Sequence, residues 1–281
     1  MRALNEPYDW WGWHGWSSQP VPLSITQILE LGTMPPELAA LFWLSLERGA
    51  SLILAAEPPS SGKTTILTAL FTFLPPDTRA YFTRGWGETF DLPPLNDGAA
   101  TYVLVNEISD HLPVYSWGPY VMRVFELLAE GYSLGSTMHA DTVEEAIAQL
   151  EEDVGVPRRH LSRLTFIATV RLIHAGGRIA RRLNEVALLG PGDSAPEDGL
   201  LVTPVSSWDA GHDTFRLLEH ERSAAALSRR LGLGEGELRR EMERRGRLLA
   251  GLVRDGVMTH EDVQRVVWEY GGGRTGGGAV S

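Results

Sequence analysis

Four consecutive residues carry the most specific chemistry in this chain: Gly62, Lys63, Thr64 and Thr65. They follow an apolar, β-leaning run (Leu52, Ile53, Leu54, Ala55, Ala56) and a Pro/Ser loop, and they open a helix-like segment over 66–73. Strand, loop, Gly-Lys-[Ser/Thr], helix is the order of a phosphate-binding loop. Backbone N–H groups of such a loop, with the helix N-terminus, cradle a β-phosphate. The lysine bridges β- and γ-oxygens, and the hydroxyl that follows holds Mg²⁺. Ser60, Ser61, Gly62, Lys63, Thr64 and Thr65 are therefore the candidate set for binding ATP, with Thr64 as the Mg²⁺ ligand and Thr65 beside the α-phosphate. The plainer alternative is a strand-to-helix turn that happens to read SGKTT.

Composition sharpens the first reading. Of 25 Lys+Arg residues, only Lys63 is lysine. Arginine replaces lysine at most solvated positions, but not where a compact ammonium must enter a tight phosphate nest. The pattern also departs from GxxxxGK[ST]: Glu57 stands where a glycine is expected, and Ser60 where glycine-rich versions have another. A non-glycine residue held at positive φ costs roughly 1–2 kcal/mol, and Glu57 adds a carboxylate near the phosphates.

Two further candidates lie at strand ends. The run TYVLV (101–105) leads into Asn106, Glu107, Ile108, Ser109 and Asp110. An acid at the end of a buried strand can position Mg²⁺ or the attacking water, or it can cap the next turn. A strand-like run, 132–137, leads into Met138, His139, Ala140 and Asp141, placing a histidine where it can sense a γ-phosphate, hydrogen-bond toward a catalytic acid, or serve the structure alone.

The elements needed to position these groups follow from pattern. Residues 22–49 read as two short helices, the second with Pro35 and Pro36 at its first turn. Residues 80–83 and 101–105 read as strands, 121–129 as a helix, and 165–174 with 178–188 as a hairpin around Gly176 and Gly177. Residues 190–199 (GPGDSAPEDG) read as a linker and 200–218 as a second hairpin turning at Asp209, Ala210 and Gly211. Residues 221–270 read as helical, with ELRREMERR as an exposed face carrying i,i+4 pairs. The Gly-rich end is expected to be disordered.

Together these motifs resemble the secretion ATPases that power type II and type IV secretion, type IV pili, and archaeal pili and archaella. Gly131 with Ser136, Thr137, Met138, His139 and Ala140 matches that family's histidine box, and Asn106–Asp110 is similar to its Walker B motif. Residues 22–54 are similar to the lead-in of the archaeal and tight-adherence branch. The resemblance implies an α/β fold: a RecA-like P-loop NTPase domain over 21–189, preceded by a Trp-rich arm over 1–20. A small C-terminal β-hairpin and helical appendage would occupy 200–270, with a disordered tail at 271–281. It implies a hexameric ring that hydrolyses ATP with Mg²⁺ and works on an inner-membrane platform protein. In that scheme Glu107 orders the attacking water, His139 senses the γ-phosphate, and Glu88 stands in for a second acid.

Several positions depart from the family. Its N-terminal domain has no counterpart here beyond the arm containing Trp10, Trp11, Trp13 and Trp16. The acidic box reads Phe82 to Glu88, the Arg-bearing segment before Glu107 is trimmed, and Ser109 replaces an arginine. The cluster Arg158, Arg159, Arg163, Arg171, Arg178, Arg181 and Arg182 is the nearest cationic supply, expected either to face a neighbour's nucleotide or to form a solvated face. A pseudo-ATPase acting as an assembly subunit stays open as the rival reading.

Net charge of −11 and pI near 5.2 argue against nucleic acid as a partner and disfavour a DNA translocase. The absence of cysteine excludes disulfides and thiolate metal sites. With no long apolar run or leader pattern, the chain is expected to be cytoplasmic, docking at the cytoplasmic face of a membrane complex.

Overall fold

The computed structural model describes residues 1–5, 23–95, 98–175, 177–192, 199–219 and 221–275. Residues 6–20 of the Trp-rich arm, with all four of its tryptophans, lie outside the described residues, as does the end of the Gly-rich tail.

An apolar sheet buried on both faces forms the centre. The strands are β1 (Arg2–Ala3), β2 (Leu52–Ala55), β3 (Arg79–Phe82), β4 (Thr101–Ile108), β5 (Ser133–Met138), β6 (Phe166–Ala175), β7 (Arg178–Pro191), β8 (Leu200–Asp209) and β9 (Thr214–Leu217). Among the described residues they form one sheet in the order β1-β3-β4-β5-β2-β6-β7-β8-β9. Pairing is parallel from β1 through β6 and antiparallel from β6 to β9. Parallel strands covered on both faces read as continuous apolar runs, which is how β2 and β4 are written. Side chains still alternate: Leu52, Leu54, Tyr102 and Leu104 enter one core, Ile53, Ala55, Val103 and Val105 the other.

Helices α1 (Ile25–Glu30), α2 (Pro36–Leu46) and α3 (Lys63–Leu70) contribute to the first core, while α4 (Pro119–Glu130) and α5 (Val143–Ala148) contribute to the second. Ser24 starts α1 with a reciprocal capping box to Gln27. Gly135 in β5 has no room for a side chain, because an added Cβ would collide with the Phe71 ring. The strands and helices expected up to residue 150 are all present. The architecture is α/β with one mixed sheet among the described residues.

Beyond the short α6 (Arg158–Leu161), the second half of the chain is more integrated than expected. Residues 193–198 of the expected linker lie outside the described residues, but Pro191 pairs with Leu200, so β8 continues the sheet of the core. Helices α7 (Glu221–Leu231), α8 (Glu235–Arg254) and α9 (His260–Thr275) follow. Leu227, Leu238, Leu249 and Val263 join Trp43 and Leu52 in one apolar cluster, so these helices share the first core.

The stretch ELRREMERR is not a solvated face throughout. Arg245, its last residue, is 0 % exposed. Its guanidinium lies 4.7 Å from the Trp43 ring centroid and 5.1 Å from that of Tyr270, and pairs with Glu47 at 2.6 Å. Helical spacing shows which residues share a face, but not that an aromatic slot awaits one cation. No helix among the described residues is long and apolar enough to cross a membrane.

Candidate nucleotide site

Strand β2 runs into a loop that ends at Gly62, the residue before α3. Gly62 has φ +90, a conformation that side-chain-bearing residues rarely adopt, and an added Cβ would lie 2.7 Å from Arg181 Cδ and displace that side chain. The second left-handed residue of the loop is Ser60, at φ +60; Glu57 is not among the positive-φ residues. The conformational cost foreseen at Glu57 thus falls on Ser60. The first N–H groups of α3 have no partner within the helix and point out of its start. Ser61 Oγ is buried without a hydrogen-bond partner among the described residues.

Lys63 is only 7 % exposed, and its Nζ donates to the Ala56 carbonyl at 2.7 Å. Burial lowers its pKa, opposed by the charges of Glu107 and Glu57. A half-desolvated ammonium with donors to spare, an orphaned hydroxyl and open helix N–H groups form a donor set suited to phosphate oxygens.

Glu107 and His139 come from β4 and the end of β5, two neighbouring strands. Register between β4 and β5 shifts between Val105 and Ile108, and such an irregularity re-aims the side chain within it. Glu107 Oε1 lies 3.0 Å from His139 Nε2 and 3.4 Å from Ser109 Oγ. His139 Nδ1 donates to the Glu57 carbonyl at 3.0 Å, so one imidazole joins the loop to the acid. Gln149 Nε2 donates to the His139 carbonyl at 2.8 Å and fixes the backbone there.

These groups share a cavity of about 700 Å³. Ser60, Ser61, Gly62, Lys63, Thr64, Thr65, Glu107 and His139 all line it, with Leu23, Ile28 and Leu31 forming an apolar wall. Glu88 does not line it. Its carboxylate accepts from the Tyr81 hydroxyl at 2.6 Å, the Arg84 N–H at 2.7 Å and the Phe90 N–H at 2.6 Å. That carboxylate holds the 84–90 turn closed, and burial together with Glu88 raises the Tyr81 pKa.

Two other polar lining residues bear on the chemistry, and the sequence reading placed neither in this cavity. Tyr115 is one; burial and Glu107 raise its hydroxyl pKa. Arg181 is the other. From β7 it donates Nε to the Ser61 carbonyl and a terminal nitrogen to the Ser60 carbonyl, both at 3.1 Å. Its membership of an arginine cluster was visible, but the antiparallel return of β7 beside β6 was needed to place it. The cluster as a whole does not face outward as one group. Arg181 reaches its own loop, Arg182 pairs with Asp213 at 2.7 Å, and Arg158 pairs with Glu151. Arg171 is exposed on β6.

No protein-family model matches the chain. It is 23% identical over 273 residues to the uncharacterized protein MJ0900 of Methanocaldococcus jannaschii, covering 89% of this chain and 49% of that protein. It is 24% identical over 269 residues to a second uncharacterized protein of that organism, MJ1287, covering 86% of this chain and 96% of that one. The chain thus spans about half the length of the first relative and nearly all of the second. Among solved structures it is similar to the VirB11 ATPase of the Brucella suis type IV secretion system, with a TM-score of 0.38, 17% identity and 58% of each chain covered. It is also similar to the Legionella pneumophila ATPase DotB, with a TM-score of 0.38 and 12% identity over 88% of this chain and 65% of that one.

Proposed function

We propose that the chain binds Mg²⁺-ATP in this cavity and hydrolyses it, as a motor subunit of a secretion or pilus-like assembly machine. One observation carries the reading: the sole lysine is buried beside an open helix start, with Glu107, His139 and Arg181 lining the same cavity. Lys63 exchanges its Ala56 carbonyl for phosphate oxygens, while Ser60, Ser61, Gly62 and Thr65 line the phosphate path. Thr64 offers its hydroxyl oxygen to Mg²⁺. ATP itself supplies the phosphoanhydride bond that is cleaved.

Glu107 orients a water and takes up its proton, and His139 holds that carboxylate against the loop. Arg181 adds a cation from the same chain. The apolar wall of Leu23, Ile28 and Leu31 suits a flat heterocycle. Glu88 has no part in this set, because its carboxylate is spent on the 84–90 turn. Assembly as a homo-oligomeric ring on a membrane platform protein rests on the sequence resemblance alone.

A second reading, a subunit that binds nucleotide without turning it over, is favoured by Ser60. A serine at φ +60 stiffens and strains a loop that must close on phosphate.

Calorimetry and phosphate release on the purified chain, beside Lys63→Ala, test both. The expected result is Mg-ATP binding by the wild type, weakened by roughly 1.5–3 kcal/mol in the variant. No binding at millimolar ATP overturns the proposal, and binding without phosphate release selects the second reading.

A further inference from the structure

Glu107, His111 and His139 each offer one ligand atom, and the three atoms lie within 4.8 Å of one another. His139 donates Nδ1–H to the Glu57 carbonyl, which aims Nε2 at Glu107 Oε1, 3.0 Å away. A third nitrogen donor, His111, stands beside this pair. The His111 ring centroid is 5.5 Å from that of His139.

We propose that Glu107, His111 and His139 bind a Zn²⁺-class transition-metal ion. Two imidazoles and one carboxylate with an open fourth position form a familiar donor set for that ion. Bonds of about 2.0–2.1 Å in a tetrahedron place ligand atoms about 3.3 Å apart, close to the Glu107–His139 spacing. His111 needs only a small inward movement, and it is exposed on a turn that permits one. The other features of such sites are also present. The His139 Nδ1–H donates to a backbone carbonyl, which fixes the ring's orientation, and Ser109 Oγ contacts Glu107. Nitrogen donors separate this site from the Mg²⁺ expected at Thr64, because Mg²⁺ takes oxygen ligands.

An ion held there occupies the carboxylate that would otherwise orient water. Metal binding stands on the three side chains alone; its consequence, inhibition of ATP hydrolysis by Zn²⁺, rests on the function proposed above.

The test uses the full chain without a histidine tag and without nucleotide. Calorimetry with Zn²⁺ alone, and Co²⁺ absorption as a readout of coordination, are compared between wild type and His111→Ala. One ion per chain is expected, with affinity falling at least about tenfold in the variant. Mn²⁺ should bind more weakly than Zn²⁺, and Mg²⁺ should not compete. His111 is exposed, so its replacement leaves the fold intact. Absence of stoichiometric Zn²⁺ binding, or equal affinity in His111→Ala, overturns the site and leaves Glu107 and His139 as a simple side-chain pair. In a separate arm, Zn²⁺ should slow ATP turnover in wild type and spare His111→Ala. A chain that binds the ion but never turns over ATP fails the proposed function and not this site.

Discussion

The guanidinium of Arg181 lies against Gly62 and donates to the Ser60 and Ser61 carbonyls, both at 3.1 Å. An arginine on β7, separated from β2 by β6 alone, thus braces the loop through two of its backbone carbonyls. The fork geometry of guanidinium suits two carbonyls at once, and an ammonium cannot reproduce it. It also puts a second cation beside Lys63 without any contribution from another subunit.

A complementation experiment follows from that placement. Arg181→Ala should weaken Mg-ATP by roughly 1.5–3 kcal/mol, with only partial recovery in Arg181→Lys. Mixing Lys63→Ala with Arg181→Ala subunits should restore no phosphate release, because both defects lie in one site. Activity of the mixture above either parent would move Arg181 across an interface.

Glu107 is the next test. Glu107→Gln keeps the shape of the side chain but cannot accept a proton from water. ATP affinity should stay within a few-fold while turnover falls by about 10²-fold or more, since the interaction acts in the transition state. Equal turnover by the two proteins would remove Glu107 from the chemistry.

Much of this site was legible because it is local. Loop, lysine and hydroxyl are contiguous, and Glu107 and His139 each sit where an apolar strand run stops. What escaped was placement by pairing. The β7 register opposite β6 carries Arg181 to the loop, and no pattern within 178–188 encodes it. Glu88 looked like a spare acid because sequence does not show that three donors, from Tyr81, Arg84 and Phe90, converge on it. His111 lies outside every motif; only the bend after β4 brings it to His139. The C-terminal helices were legible as helices, but their burial against α2 depends on residues more than a hundred positions away.

Lys63 should cost stability in the absence of ligand. Burial disfavours its charge more than Glu107 and Glu57 favour it, so its pKa falls below the ordinary 10.5. Between the lowered value and 10.5 the unfolded chain binds more protons, and stability contributed by this group rises with pH. Below that window the buried ammonium is a standing cost. Lys63→Met should therefore raise the unfolding free energy of the ligand-free chain at neutral pH, by about 1 kcal/mol after allowance for water at the cavity mouth. The gap between the proteins should narrow as pH climbs toward 10.5. Urea titrations across pH measure it. A destabilised variant would instead make the Nζ bond to Ala56 a structural strut.

Arg245 makes the opposite case, a buried charge whose removal should be expensive. Its guanidinium fills the space between Trp43 and Tyr270, pairs with Glu47 at 2.6 Å, and lies 3.5 Å from Glu241 on its own helix. Through these contacts α8 is held to α2 and α9. Arg245→Ala empties the slot between two rings and removes the cation that Glu47 and Glu241 share, leaving Glu47 with Arg48 at 3.6 Å and Glu241 with Arg244 at 3.5 Å. Breaking a buried pair from one side costs about 3–5 kcal/mol. Arg245→Met refills the slot with apolar atoms and should recover part of that loss. Combining it with Glu47→Gln should recover more, because one of the two carboxylates that lost this cation is then neutral. The order Ala, Met, then Met with Gln, from least to most stable, is read from urea midpoints at constant slope. Mg-ATP affinity should stay unchanged throughout, because Arg245 does not line the cavity. A loss below about 1 kcal/mol in Arg245→Ala would show that the cation contributes little more than a surface ion pair.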